Sequence, residues 1–283
     1  MGVVNITPDS FSDGGLFLAP EAAVDHALKL IDDGADLIDL GAESTRPGSR
    51  AGGVAGSGQP PTVGAEEELA RLLPVLKGIL GAHPDAVVSV DTYKASTARA
   101  VLDAGAEIVN DVSGFLWDRE MSAVCAEFGA GVVLMHSRGR PEEWQAQPQL
   151  GPNALLETVR RGLEGSLATA QSAGIPHDAI VLDPGYGFGK RFDENYALLA
   201  RQAELLALGR PLLAGVSRKS FLGQTLAALT GAEVPAFARE SASLAAMTTA
   251  ILNGASIVRV HVVRPAVEAA RIADAVLAAS RTT

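Results

Sequence analysis

The sequence predicts a closed (β/α)8 TIM barrel with a parallel eight-stranded sheet and an active site at the C-terminal ends of its strands. Two observations predict it. Short apolar runs alternate with helical patterns along the whole chain, which implies βαβ units and a parallel sheet. Eight of those runs end in polar residues, and no long linker separates the units. An open doubly wound sheet with an added domain is the weaker alternative. In a barrel every strand end points to one face, so all these polar ends converge.

The elements follow in order. Met1 to Val4 is a short apolar run ending at Asn5, and Pro8, Gly14 and Gly15 prevent its continuing. Glu21–Gly34 places Ala22, Val24, Leu28 and Ile31 at helical spacing and stops at a glycine. The next strand end is Asp39-Leu-Gly-Ala-Glu-Ser-Thr-Arg-Pro-Gly48, and a helical pattern follows over Glu66–Leu80. Ser89-Val-Asp-Thr92 precedes the helix Ala95–Ala104, and Val109-Asn-Asp-Val112 precedes Arg119–Phe128. Leu134-Met-His136 leads to Asn153–Ala173, and Leu182-Asp-Pro-Gly185 leads to Glu194–Leu206. Val216-Ser-Arg-Lys-Ser220 is followed by Arg239–Asn253, and Val258-Arg-Val-His261 by Pro265–Ala279. Gly34, Gly81, Gly105, Gly129, Gly174 and Gly254 follow helical patterns, where a left-handed end is expected.

A chain of 283 residues suits one large barrel or two ordinary domains. The pattern favours a single domain over residues 1–283, with Ser49–Val63 as a flexible Gly/Ser/Pro-rich insertion beside the presumed site. A net charge of -10 argues against nucleic acid or an anionic membrane as partner. One cysteine, Cys125, excludes an internal disulfide framework, and its apolar helical setting reads as structural. No apolar run reaches transmembrane length and no cationic, apolar leader is seen, so a cytoplasmic location is the expectation. His26, His83 and His177 are scattered, and no zinc spacing exists. Gly185-Tyr-Gly-Phe-Gly-Lys190 lacks the spacing of a P-loop and the full dinucleotide pattern.

Eight motifs then stand in register. They are Asn5-Ile-Thr-Pro-Asp-Ser-Phe-Ser-Asp-Gly-Gly15, Glu43-Ser-Thr-Arg-Pro-Gly48, Asp91-Thr-Tyr-Lys94, Asn110-Asp-Val-Ser-Gly114, Met135-His136 with Arg138-Gly139, Asp183-Pro-Gly-Tyr-Gly-Phe-Gly-Lys190, Ser217-Arg-Lys-Ser220 and Arg259-Val-His261. Together they resemble the dihydropteroate synthase family, a group of pterin-binding TIM barrels, over essentially the whole chain. The resemblance implies a transferase of folate biosynthesis. Its reaction condenses 6-hydroxymethyl-7,8-dihydropterin pyrophosphate with 4-aminobenzoate, giving 7,8-dihydropteroate and pyrophosphate.

The resemblance also implies roles. Asp183 matches the carboxylate that pairs with the pterin N–H edge, a bidentate and charge-assisted contact. Asn110 both donates and accepts, which suits a mixed ring edge, and Asp91 is placed similarly. Lys219 matches the lysine on the carbonyl side of the pterin. Gly187, with Gly185 and Gly189, lets backbone approach a flat ring, and Met135 belongs to the same pocket. Arg259 and His261 alternate along the eighth strand and would meet the diphosphate; Arg259 also matches the arginine on the pterin face. Asn5 matches the amide that meets Mg2+, the expected cofactor. Phe11, Thr45, Arg46 and Pro47 would form the aminobenzoate pocket beside Lys219 and Ser220. Asp91, Lys219, Arg259 and His261 are the expected catalytic set.

Sulfonamides would compete in that pocket, and a homodimer through the apolar C-terminal helices is the family expectation. Relatives commonly carry Asp after the eighth-strand histidine, where this chain has Val262. The rival readings are a pterin-dependent methyltransferase, a Schiff-base aldolase using Lys219, and a pterin-binding module without activity. The Thr-Pro-Asp-Ser-Phe and Ser-Arg-Lys-Ser segments favour the synthase.

Overall fold

The structure is a computed structural model, and it describes residues 1–7, 20–44 and 63–280. Its eight strands are β1 (Gly2–Asn5), β2 (Ile38–Gly41), β3 (Val88–Asp91), β4 (Ile108–Asp111), β5 (Gly131–Met135), β6 (Ile180–Asp183), β7 (Leu212–Ala214) and β8 (Ala255–Val258). They pair in sequence order, and every neighbouring pair is parallel. A parallel bridge between Gly2 and Val260 brings the last strand against the first. Val3 N donates to Val260 O at 3.0 Å and Val260 N to Met1 O at 3.0 Å. The expected (β/α)8 barrel is therefore the observed fold.

Among the described residues the helices are α1 (Pro20–Asp32), α2 (Ala65–Ala82), α3 (Ala95–Asp103), α4 (Met121–Phe128), α5 (Pro152–Ser172), α6 (Phe192–Arg201), α7 (Ser220–Thr230), α8 (Glu240–Leu252) and α9 (Val263–Ser280). Successive strand residues point to opposite faces, and the two faces differ. Outward residues such as Leu40, Val90, Val109, Val132, Leu134 and Leu182 pack with the helices in one large core. Inward residues form a separate plug in which Val133 and Leu213 are buried, with Ile108, Val181 and Ile257 against them. That plug closes the barrel low down. Toward the strand ends the inward positions carry Asp39, Ser89, Asp91, Asn110 and Asp183, with Gly41 and Met135 among them.

Two helical expectations change. The sequence reading gives no helix between the seventh strand and Arg239, yet α7 lies there. Gly223 sits inside it, and a glycine weakens a helical signal. The space beside it is taken: a Cβ on Gly223 would come within 2.4 Å of Arg239 Nε, so that side chain would have to move. The expected Glu194–Leu206 helix ends at Arg201, and a 3-10 segment runs from Gln202 to Leu208. Gln202 is fully buried there. It accepts from Tyr186 OH at 2.5 Å and donates to Ala250 O at 2.6 Å.

Cys125 is buried and free, and burial pushes its thiol up to about 12, as suits a structural residue. No described helix is long and apolar enough to cross a membrane.

Candidate active site

The polar strand ends do converge, and their centre is Arg259, just past β8. Its Nε donates to Asp39 Oδ2 at 2.6 Å and its Nη2 to Asp91 Oδ2 at 3.1 Å. Asp39 is fully buried. It also accepts from Ser89 Oγ at 2.6 Å and from Asn110 Nδ2 at 3.1 Å. One carboxylate thus gathers groups from β3, β4 and the end of β8. A buried charge needs such partners. Burial works against the charge on Arg259, but Asp39 and Asp91 together raise its pKa. Burial pushes Asp91 up to about 7; Arg259 pulls it down, while Asp39 and Glu68 push it further up.

The second half of the site is built around Asp183 at the end of β6. Its Oδ1 accepts from the Gly185 N–H at 2.7 Å. Burial raises its pKa, opposed by that N–H and by Lys219, Lys190 and Arg259. Gly185, Gly187 and Gly189 have φ of +72°, +82° and +68°. Those values favour glycine, and a Cβ on Gly185 would strike the His136 carbonyl oxygen at 2.0 Å. The resulting turn presents Phe188. Lys219 Nζ stands 4.1 Å from the Phe188 ring centroid, a cation–π contact. Burial and Arg259 push Lys219 down to about 8, with Asp183 and Asp91 opposing. Tyr93, Val112 and Met135 form a small apolar cluster with Phe188 and Trp117 against it. Met135 is in register with Asp183 on the neighbouring strand, so the apolar cluster borders the polar groups.

Two loops behind this cluster are braced together. Arg138 Nη1 donates to Gly189 O at 3.2 Å and pairs with buried Glu194 at 3.3 Å. Glu194 also accepts from the N–H groups of Leu150 and Arg191. Across the mouth, His261 Nδ1 lies 3.0 Å from Ser217 Oγ. Arg259 and His261 follow β8 rather than lying within it, since the strand ends at Val258. Ser220 is the exposed first residue of α7. Asn5 ends β1 in register with Gly41, which is in register with Asp91 on its other side.

Comparison with known proteins fits this geometry. The sequence profile of the pterin binding enzyme family matches residues 1–261. The chain is 43% identical over 277 residues to a dihydropteroate synthase of Mycobacterium leprae, covering 97% of this chain and 92% of that protein. The chain belongs to the dihydropteroate synthase family. Solved structures agree. A Yersinia pestis dihydropteroate synthase in a sulfonamide drug complex matches with a TM-score of 0.85 and 38% identity, covering 98% of this chain and 93% of that one. A Xanthomonas albilineans dihydropteroate synthase in complex with 7,8-dihydropteroate gives 0.81 and 37%, covering 98% and 92%.

For this dihydropteroate synthase family member, Asn5, Asp91, Asn110, Met135, Asp183, Gly187, Lys219, Ser220, Arg259 and His261 all lie at the strand-end face. Phe11, Thr45, Arg46, Pro47 and residues 49–62 lie outside the described residues. Sequence reasoning missed Asp39, Val112, Phe188 and Lys190. Asp39 had a usable signal, because a carboxylate in the middle of a buried strand must have partners. Among the described residues no group of three or more His, Cys, Asp or Glu could hold a metal ion.

Proposed function

We propose that this protein joins 6-hydroxymethyl-7,8-dihydropterin pyrophosphate to 4-aminobenzoate, releasing pyrophosphate and forming 7,8-dihydropteroate. The observation that carries it is the set of groups gathered at neighbouring strand ends: Asp91, Asn110 and Asp183 with the apolar Met135 in register beside Asp183, and Phe188 packed against the Met135 cluster. A flat heterocycle with a donor edge would use the carboxylate and amide groups for its polar edge and the apolar cluster for its ring. In this reading Asp183 accepts from the pterin N–H edge, Asn110 and Asp91 meet its remaining polar atoms, and Lys219 donates to its carbonyl side. Gly187 keeps backbone low beneath the ring.

The chemistry is bond cleavage at a carbon–oxygen bond followed by attack of an arylamine. Negative charge builds on the departing diphosphate, and Arg259 and His261 meet it. Ser217 fixes the ring plane of that histidine. Arg259 is held by two carboxylates, so it is preorganised rather than searching. The pterin carries the developing positive charge, and the Asp91 carboxylate lies close enough to support it. The amine attacks as a neutral nucleophile and sheds its proton afterwards, so no dedicated base is required.

Magnesium is the proposed cofactor, and the amide oxygen of Asn5 at the end of β1 suits a hard cation that keeps most of its waters. Asn5 Oδ1 lies beside Gly41, in ordinary contact range of where a side chain there would begin, while Asp91 Oδ2 is engaged by Arg259. Mg2+ takes oxygen ligands and keeps several waters. Asn5 would hold it, and when bound it would offset charge on the diphosphate. Phe11, Thr45, Arg46 and Pro47, with Lys219 and Ser220, complete an aminobenzoate pocket by family likeness, and sulfonamides compete there. The protein acts in the cytoplasm as one domain. It pairs as a homodimer through its C-terminal helices, where Leu229 of α7, Phe237 before α8, and Ile272 and Val276 one turn apart on α9 are exposed.

The deciding experiment is product formation from the two substrates with and without Mg2+. Product that requires both substrates and the metal supports the reading. Pterin binding with no product at any metal concentration would reduce the protein to a binding module.

A further inference from the structure

Lys190 is a buried cation outside every role assigned above. Its Nζ donates to Gly185 O at 2.7 Å, to His136 O at 3.0 Å and to Phe188 O at 3.2 Å. An ammonium group has three N–H donors, and three carbonyls use all of them. None of these acceptors is a carboxylate. The positive φ values of Gly185, Gly187 and Gly189 let the turn direct its carbonyls at this one point.

We propose that Lys190 is a positioning residue for pterin capture: its ammonium fastens the Gly185–Phe188 turn, and so sets the Phe188 wall and offsets the buried charge of Asp183. The inference rests on reading the site as a pterin pocket. Gly185 is the relay. Its N–H is held by Asp183 and its carbonyl by Lys190. The Phe188 N–H closes the turn on Gly185 O at 3.1 Å, its carbonyl accepts from Lys190 Nζ and from Arg138 N at 3.4 Å, and its ring packs on Trp144 at 5.2 Å and beneath Lys219. Burial lowers the Lys190 pKa to about 7; Asp183 and Glu194 favour its cation and Arg138 and Lys219 oppose it, while three carbonyl acceptors match the three N–H donors of the charged form. His136 also feels it.

The test uses the full chain with Lys190→Met and Lys190→Gln. Calorimetry with a pterin ligand should show affinity lowered about tenfold or more, because buried acceptors lose their donors. KM for the pterin pyrophosphate should rise while KM for 4-aminobenzoate stays put. The decisive readout is the pH profile of pterin affinity. Lys219, Lys190 and Arg259 all favour ionised Asp183. With Lys190 gone, Asp183 loses a positive charge that lowers its pKa against burial, and the acid limb should move to higher pH. Variants that melt lower yet keep wild-type affinity and an unmoved acid limb would overturn the proposal. If Lys190→Met does not fold, Lys190→Gln, which keeps two N–H donors without the charge, decides by the same profile. Wild-type protein that fails to bind pterin would instead overturn the functional reading beneath.

Discussion

Asp39 and Arg259, 220 residues apart in sequence, meet across the barrel mouth at 2.6 Å. The contact joins β2 to the end of β8 and ties the first part of the barrel to the last. Breaking a buried pair leaves an uncompensated charge.

Asp39→Ala should therefore cost about 3–5 kcal/mol of stability. It strips Arg259, Ser89 and Asn110 of one shared acceptor. Urea unfolding monitored by fluorescence checks this; a loss below about 1 kcal/mol, the range of surface pairs, would mean the pair is dispensable.

Asp183→Ala should weaken pterin binding by about 2–5 kcal/mol, since ligand donors then lie buried without an acceptor. Titration calorimetry on a folded variant measures it. Unchanged affinity would remove Asp183 from the pocket.

Asp91 sets a pH dependence of stability. Its folded pKa is about 7 against 3.8 in the unfolded chain. Between those values the folded protein holds a proton that the unfolded chain releases. This contribution is fully present below about pH 4 and is lost as pH rises to about 7. Asp91→Asn should flatten that decline, and denaturant midpoints across the window would show it. A slope equal to wild type would contradict the burial argument.

Lys219 acts at the other limb. Its folded pKa is about 8, so its ammonium is lost as pH rises through that value. Pterin affinity should fall above about pH 8. Lys219→Arg should carry the fall to much higher pH, because a guanidinium stays charged. An affinity flat to about pH 10 in wild type would exclude the lysine as a charged donor.

Sulfonamides should inhibit competitively with 4-aminobenzoate. Initial rates at several substrate concentrations give the pattern, and a non-competitive pattern would place the drug elsewhere.

The fold was legible because its signal is repetitive. Eight apolar runs each ended in polar residues, and period-2 alternation sent those residues inward. Asp91, Asn110 and Asp183 were readable for that reason. Asp39 was not singled out, because it sits between Ile38 and Leu40 in an otherwise apolar strand and its partners come from distant elements. Helix α7 was hidden by Gly223, whose lack of a side chain serves Arg239 rather than the helix. Phe188 was masked by the glycines around it. Lys190 looked like the end of a glycine loop, because backbone carbonyls, its actual partners, carry no letter in the sequence.

The apolar plug of Val133, Leu213, Ile108, Val181 and Ile257 has a consequence for traffic. Among the described residues this apolar packing fills the barrel interior behind the polar strand ends. Substrates and products then share the strand-end face. A lingering pyrophosphate or dihydropteroate then stands in the path of the next pterin. Turnover becomes a matter of queueing at that face.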